Sequence, residues 1–225
     1  MLIGILQTGE APDTLRAEHG DYPDMFQRLL AGHGFTFRTW RVAEMDFPED
    51  VHAADGWLIT GSRFGVYEDH PFLRPLEAFI REAAAARVPM VGICFGHQII
   101  AQALGGKVEK YPGGWAIGAQ DYTLGDHKIT LNAWHQDQVT ELPPGATCLA
   151  GNDFCRNAIL QYGDEALTVQ PHPEFDDSFI GGMLETKGKA VPAALVEHAE
   201  TRLDDGKSSA ELAGRIAEFF LKPRS

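Results

Sequence analysis

Residues 89–98 read Pro89-Met90-Val91-Gly92-Ile93-Cys94-Phe95-Gly96-His97-Gln98. The apolar run predicts a buried strand. It breaks on a Gly-X-Cys-X-Gly turn, and a helix is expected straight after it. A strand–turn–helix elbow of this kind lifts one side chain clear of the sheet edge, because small glycines let the backbone bend sharply around it. It also sets the sulfur near the positive end of a helix, where a thiolate is favoured over a thiol. Cysteine is more often a small core residue than a nucleophile. Cys94, with glycines on both sides, is placed for attack.

On either side of this stretch strands and helices alternate. Residues 2–7 read as a buried first strand. Residues 22–31 carry Met25, Phe26, Leu29 and Leu30 at helical spacing, closed by Gly32 and Gly34. Residues 35–42 alternate as a second strand, 56–60 form a short buried one, and an amphipathic helix covers about 73–87. This order implies parallel βαβ units, hence an α/β fold with an open, mostly parallel (mixed) sheet and helices on both faces. Ligands bind such sheets at the carboxyl ends of the strands. After Gly106 the pattern shifts to strand-like runs at 115–124, 128–134 and 147–150, separated by Gly125-Asp126 and Pro143-Pro144-Gly145, which predicts antiparallel excursions. Helices are expected from Asp176 to about Lys187, from Pro192 to about Leu203 and from Ser208 to Leu221. Ser208 would be the N-cap of the last, with Glu211 completing a capping box. The chain is read as one domain over 1–225, with a core at about 1–185 and the closing helices of 186–225 packed on it.

A second polar corner answers the first. Ala166-Leu167-Thr168-Val169-Gln170-Pro171-His172-Pro173-Glu174-Phe175 is again an apolar run ending in chemistry, here His-X-Glu. A nucleophile, a base and a carboxylate that orients the base are the parts of a thiol triad. Cys94, His172 and Glu174 supply them, if two strand ends lie together at one sheet edge. His97, adjacent to the elbow on a helix start, is expected to point away from Cys94 and to serve packing. His172, Glu174, Asp176 and Asp177 do not make a metal set, as no third ligand at recognised spacing accompanies them.

These residues resemble the class I, triad-type glutamine amidotransferases. The matching stretches are GICFGHQ at 92–98 with Ala103-Leu104-Gly105-Gly106, QPHPEF at 170–175, and the strand end Leu58-Ile59-Thr60-Gly61-Ser62. The resemblance covers about residues 1–185 and implies a flavodoxin-like fold. It implies that Cys94 attacks a glutamine side-chain amide to give a γ-glutamyl thioester, with His172 as acid and base. One oxyanion donor would be the backbone N–H of Phe95. The resemblance puts the second on Gly61 or Ser62; relatives often carry Gly-Gly-Pro where this chain has Gly61-Ser62-Arg63. It also implies substrate contacts from Gln98 and from the segment containing Trp134, His135 and Asp137. The Thr60 corner, the elbow and Gly114-Trp115 resemble plant γ-glutamyl peptidases of the same superfamily as closely. The resemblance therefore implies glutamine or another γ-glutamyl small molecule as substrate, with a separate ammonia-accepting synthetase subunit as partner in the amidotransferase case. A non-catalytic binding or regulatory module of the same fold is the third reading, and an intact Cys94, His172 and Glu174 speaks against it. Arg63, Tyr67, Glu68 and Arg156 are placed on loops near the same edge, where a guanidinium would suit a carboxylate.

Composition narrows the rest. The chain has 225 residues, 44% of them hydrophobic and 23% charged, enough to bury about 70% of its unfolded surface without staples. Nineteen basic against 32 acidic residues give a net charge of −13, which argues against nucleic acid and anionic membrane as partners. No Walker A or Gly-X-Gly-X-X-Gly pattern occurs, and no cofactor is implied. Three cysteines without framework spacing, and an N-terminus without signal-peptide character, fit a reducing cytoplasm.

Overall fold

The computed structural model describes residues 1–224. The first half runs β1 (Leu2–Leu6), α1 (Asp13–His19), α2 (Tyr22–Leu29), β2 (Thr36–Trp40), β3 (Gly56–Ile59), α3 (Leu73–Ala85), β4 (Met90–Ile93) and α4 (Phe95–Ala103). Then come β5 (Lys107–Lys110), β6 (Ala116–Leu124), β7 (His127–His135), β8 (Asp137–Glu141), β9 (Ala146–Gly151), β10 (Ile159–Tyr162) and β11 (Ala166–Val169). The chain closes with α5 (Asp177–Lys187), α6 (Ala193–Glu200) and α7 (Ser209–Leu221).

Nine strands form one sheet in the order β2-β1-β3-β4-β11-β10-β9-β6-β7. The five from β2 to β11 are mutually parallel. From there the pairing is antiparallel, so that seven of the nine strands run one way and only β10 and β6 the other. Strands buried on both faces read as continuous apolar runs, as β3 (GWLI) and β4 (MVGI) do. Alternate residues feed the two cores. Ile3, Ile5, Leu58, Val91 and Ile93 enter one with Phe26, Phe179 and Ile216. Leu6, Trp57, Ile59 and Met90 enter the other with Leu76, Ile80 and Ile100. Each such side chain contributes about 1.5–3 kcal/mol by leaving water.

Thr8, Thr60, Cys94 and His172 all lie just past the carboxyl ends of parallel strands, β1, β3, β4 and β11. This is the edge where the sequence placed the site.

Three details differ from expectation. Ser208 does not cap α7: its hydroxyl accepts from Thr130 N–H at 3.1 Å, its own N–H donates to Thr130 O at 2.8 Å, and Glu211 pairs with His127 and Arg215. The helix expected to reach Leu203 stops at Glu200. A polar two-stranded ribbon, β5 with β8, which the sequence did not suggest, stands apart from the main sheet. No helix among the described residues is long and apolar enough to cross a membrane.

Candidate active site

β4 delivers Cys94 in a left-handed conformation, φ 53° and ψ −103°, as the residue before α4. Both flanking glycines are demanded by space. A Cβ on Gly92 would sit 2.4 Å from the Gly96 carbonyl oxygen, and one on Gly96 would sit 2.3 Å from that of Ile59. Gly-X-Cys-X-Gly is thus the condition for α4 to fold back onto β3 and β4. The corner is held by Cys94 N–H to Val169 O at 2.8 Å and Gly96 N–H to Thr60 O at 3.2 Å. A conformation this costly in a non-glycine residue survives only where its surroundings over-determine it.

His172 enters from β11. Its N–H donates to Asn132 O at 2.7 Å, which ties the 170–176 loop to β7. Its Nδ1 lies 2.7 Å from Glu174 Oε1, both side chains almost wholly buried. The ring lies flat on Phe175, centroids 3.9 Å apart and planes 4° apart. With Nδ1 turned to the carboxylate, Nε2 is the nitrogen left for the sulfur. Burial alone would push this imidazole down; the charge of Glu174 and the charge and hydrogen bonding of the Cys94 sulfur overcome it and raise it to about 10. Such a ring favours its protonated form.

Gly61 closes the third side. A Cβ there would stand 3.0 Å from His172 Cε1 and 3.7 Å from Cys94 Cβ, so the backbone of this corner borders both side chains. Its carbonyl is turned away, accepting from the Thr8 and Thr60 hydroxyls at 3.1 Å each. The Ser62 hydroxyl is likewise engaged, donating to Thr8 O at 2.8 Å. What Gly61 and Ser62 can offer a ligand is backbone N–H, and Phe95 adds the first amide of α4, which has no intrahelical acceptor.

The remaining sequence candidates divide. Gln98 is buried, and its amide donates to Asp137 O at 2.9 Å and Gln170 Oε1 at 3.1 Å, which leaves only its carbonyl oxygen for anything else. His135 Nδ1 meets the same Asp137 carbonyl at 3.2 Å, so Nδ1 is the protonated nitrogen and Nε2 is a buried acceptor without a partner. Trp134 is half-buried against the core. The Asp137 carboxylate receives the Tyr67 hydroxyl at 3.0 Å, joining the loop after β3 to the β7–β8 turn. Glu68 pairs with His70 at 2.7 Å, Arg63 lies over the Phe64 ring, and Arg156 is exposed on the turn before β10. His97 is fully buried with Nδ1 2.8 Å from the Thr168 hydroxyl. Among the described residues no three His, Cys, Asp or Glu side chains are grouped as a metal ion needs.

Three contributors went unread in the sequence: Thr8, which pins the Gly61 corner, Asn132, which anchors the 170–176 loop, and Phe175, which fixes the ring plane. Thr8 had a signal, since the end of the first strand belongs to the same edge as the other two.

His97 and His135 give a pH prediction. Burial first, then a neighbouring histidine, lowers each to about 3. The unfolded chain takes these protons near 6.5, so below that pH it binds more protons than the native state. Stability is complete above about 6.5 and falls as pH drops toward 3, by at most about 1.4 kcal/mol per pH unit for each ring. Denaturant unfolding at pH 7, 5.5 and 4.5 measures the slope. His97→Gln is expected to flatten it, and an unchanged slope would remove His97 from this account.

Residues 27–185 match the model of the family described as Glutamine amidotransferase class-I. A glutamine amidotransferase-like protein of Schizosaccharomyces pombe is 28% identical over 244 residues, covering 98% of each chain. Gamma-glutamyl peptidase 3 of Arabidopsis thaliana is 25% identical over 227 residues, 92% of this chain and 91% of the peptidase. The crystal structure of a glutamine amido transferase from Methylobacillus flagellatus superposes with a TM-score of 0.74 at 24% identity, over 98% of this chain and 91% of that one. At that identity the likeness speaks for the fold.

Proposed function

The chain belongs to the class I glutamine amidotransferase family, and from that premise we propose that it hydrolyses γ-glutamyl amide bonds with Cys94 as nucleophile, His172 as acid and base, and Glu174 as the carboxylate that orients the ring. The observation that carries this reading is the buried imidazole held at 2.7 Å by Glu174 Oε1 on Nδ1, at a corner where the Gly61 backbone borders both the ring and Cys94.

The steps follow from where the protons sit. The sulfur attacks the γ-carbonyl carbon, and the carbonyl electron pair becomes an oxyanion. Backbone N–H groups of Phe95 and of Gly61 or Ser62 are the donors for it, each of a kind worth about 10²–10³ in rate. Collapse of the intermediate breaks the C–N bond, and the imidazolium proton leaves with the amine, leaving a γ-glutamyl thioester on Cys94. The neutral ring then takes a proton from water. The hydroxide equivalent attacks the thioester, and glutamate departs as the sulfur and the ring recover their starting state. Glu174 keeps Nδ1 protonated throughout, so that Nε2 always faces the reaction. Gln98, Trp134, His135 and Asp137 are the residues proposed to meet the glutamyl end, Gln98 through the carbonyl oxygen that its own hydrogen bonds leave free.

The leaving group divides two versions of this reading. Glutamine releases ammonia, for use by a separate synthetase subunit or for loss to solvent; a γ-glutamyl peptide releases an amino acid. The match to a γ-glutamyl peptidase over nine-tenths of both chains favours giving the second version equal weight. A screen of glutamine, γ-glutamyl dipeptides and glutathione conjugates, read as free glutamate, tests the proposal. Turnover of at least one, with a transient glutamyl adduct on Cys94 seen by mass, is the expected outcome. No glutamate from any of them, together with a Cys94 that ignores thiol reagents at neutral pH, would leave only a binding module.

A further inference from the structure

Beyond the residues the family model matches, the connection from α6 to α7 reaches back to the site. Arg202 donates from Nη1 to Ala119 O at 3.0 Å and from Nη2 to Asp121 at 2.9 Å, while Ser208 pairs with Thr130 on the edge strand β7. This segment is therefore laced to the outside of the β6–β7 hairpin. One side chain in it turns inward. The Lys207 ammonium, its side chain only 8% exposed, lies 2.8 Å from Asp177 Oδ1 and donates to the carbonyls of Asp205 at 2.6 Å and Leu203 at 3.2 Å. Burying an ammonium costs several kcal/mol unless it is paired and hydrogen-bonded. A surface turn has no need of one.

The oxygen it pairs with is shared. Asp177 Oδ1 also receives Asn132 Nδ2 at 3.4 Å, and the same Nδ2 donates to Phe175 O at 3.0 Å. The Asn132 carbonyl in turn accepts from His172 N–H at 2.7 Å. Lys207, Asp177 and Asn132 thus form a continuous strut from the C-terminal segment to the loop bearing His172, Glu174 and Phe175.

We infer that Lys207 is a positioning residue, which acts through Asp177 and Asn132 to hold the His172–Glu174 loop in register with Cys94. The kinetic half of its test rests on the hydrolase reading; the chemical half does not. A loop freed by fractions of an ångström keeps its substrate contacts but loses alignment between ring and sulfur, and misplacement on the order of 1 Å costs about 10²-fold.

The experiment uses the full chain in a Cys148→Ser background, because Cys148 is exposed and would also react. Lys207→Met, which keeps length and removes charge, is expected to lower kcat about 10- to 100-fold with KM changed less than about twofold. The rate of Cys94 alkylation by iodoacetamide at pH 6, divided by that at pH 9, is expected to fall about tenfold, because the ratio reads the pairing of sulfur with imidazole. Should Lys207→Met not fold, Asp177→Asn keeps the shape, removes the ion pair along with one first-turn charge of α5, and is read in the same way. A folded variant of either kind with parental kcat and parental alkylation ratio overturns the inference. So does a loss of rate that merely follows the folded fraction. If the parent turns over no γ-glutamyl compound, the hydrolase reading fails, and the alkylation ratio still decides the strut.

Discussion

Cys94→Ala is expected to lower γ-glutamyl hydrolysis by about 10⁴ to 10⁶ while the chain still folds, since removing a covalent nucleophile leaves only binding and the oxyanion donors to act on the bond. Serine at the same place is expected to fare little better, because its hydroxyl is far less readily ionised than a thiol at neutral pH. Stability should move the other way in a third variant. Cys94 occupies φ 53°, ψ −103°, a region that strains any residue with a Cβ by about 1–3 kcal/mol. Cys94→Gly releases that strain and is expected to unfold at a higher temperature than Cys94→Ala, both being inactive. The pair separates two accounts of the elbow. A cysteine kept for packing would make Ala and Gly progressively less stable. A cysteine held in a strained corner for its chemistry makes Gly the more stable of the two. Thermal unfolding with glutamate release on each variant gives the comparison, and retained turnover in either would remove Cys94 from the reaction.

The elbow was legible because its requirements are local. Gly92 and Gly96 are fixed by contacts within a few residues of Cys94 and with the neighbouring strand, and a run such as Met90–Ile93 has no plausible place except a strand buried on both faces. The sequence placed His172 at that edge only on the condition that its strand end lies beside the elbow strand, and β11 does run parallel to β4 and directly beside it. What stayed hidden depends on partners distant in sequence. β5 and β8 bury little beyond Val108, Gln138 and Val139 and are otherwise polar, so composition does not distinguish them from loop; each exists because the other supplies its ladder. Ser208 and Glu211 have the spacing of a capping box, but the open edge of β7 offers Ser208 a better pair of backbone partners. The box that does form, Asp21 with Asp24 at the start of α2, uses aspartate at both positions and so escapes the usual pattern. Gln98 shows the same limit inside the site. Its type and spacing fit either a ligand contact or an internal brace, and only the tertiary structure reveals that its amide protons are already committed to Asp137 and Gln170.

Glu174→Gln tests the least visible member of the site, a carboxylate with no solvent exposure whose one hydrogen-bonded oxygen meets His172 Nδ1. The substitution keeps the shape and removes the charge. The amide can still accept from Nδ1, or turn and donate to it, which would place the ring proton on Nε2 and point it the wrong way at the sulfur. In either case the imidazolium loses the counter-charge that offsets its burial, and kcat is expected to fall by about 10² to 10⁴. A purely structural carboxylate would lower the amount of folded protein and leave kcat alone. The pH dependence of stability separates these further. With the ring raised to about 10 in the native chain, the stabilisation it contributes is complete below its unfolded value near 6.5 and is lost as pH rises through about 10. Removing the Glu174 charge lowers the ring and cuts that contribution, so parent and variant should differ most in unfolding free energy near pH 6 and converge toward pH 10. A gap that stays constant across that range, or a kcat within threefold of the parent, would mean that the ring does not depend on Glu174 for its proton.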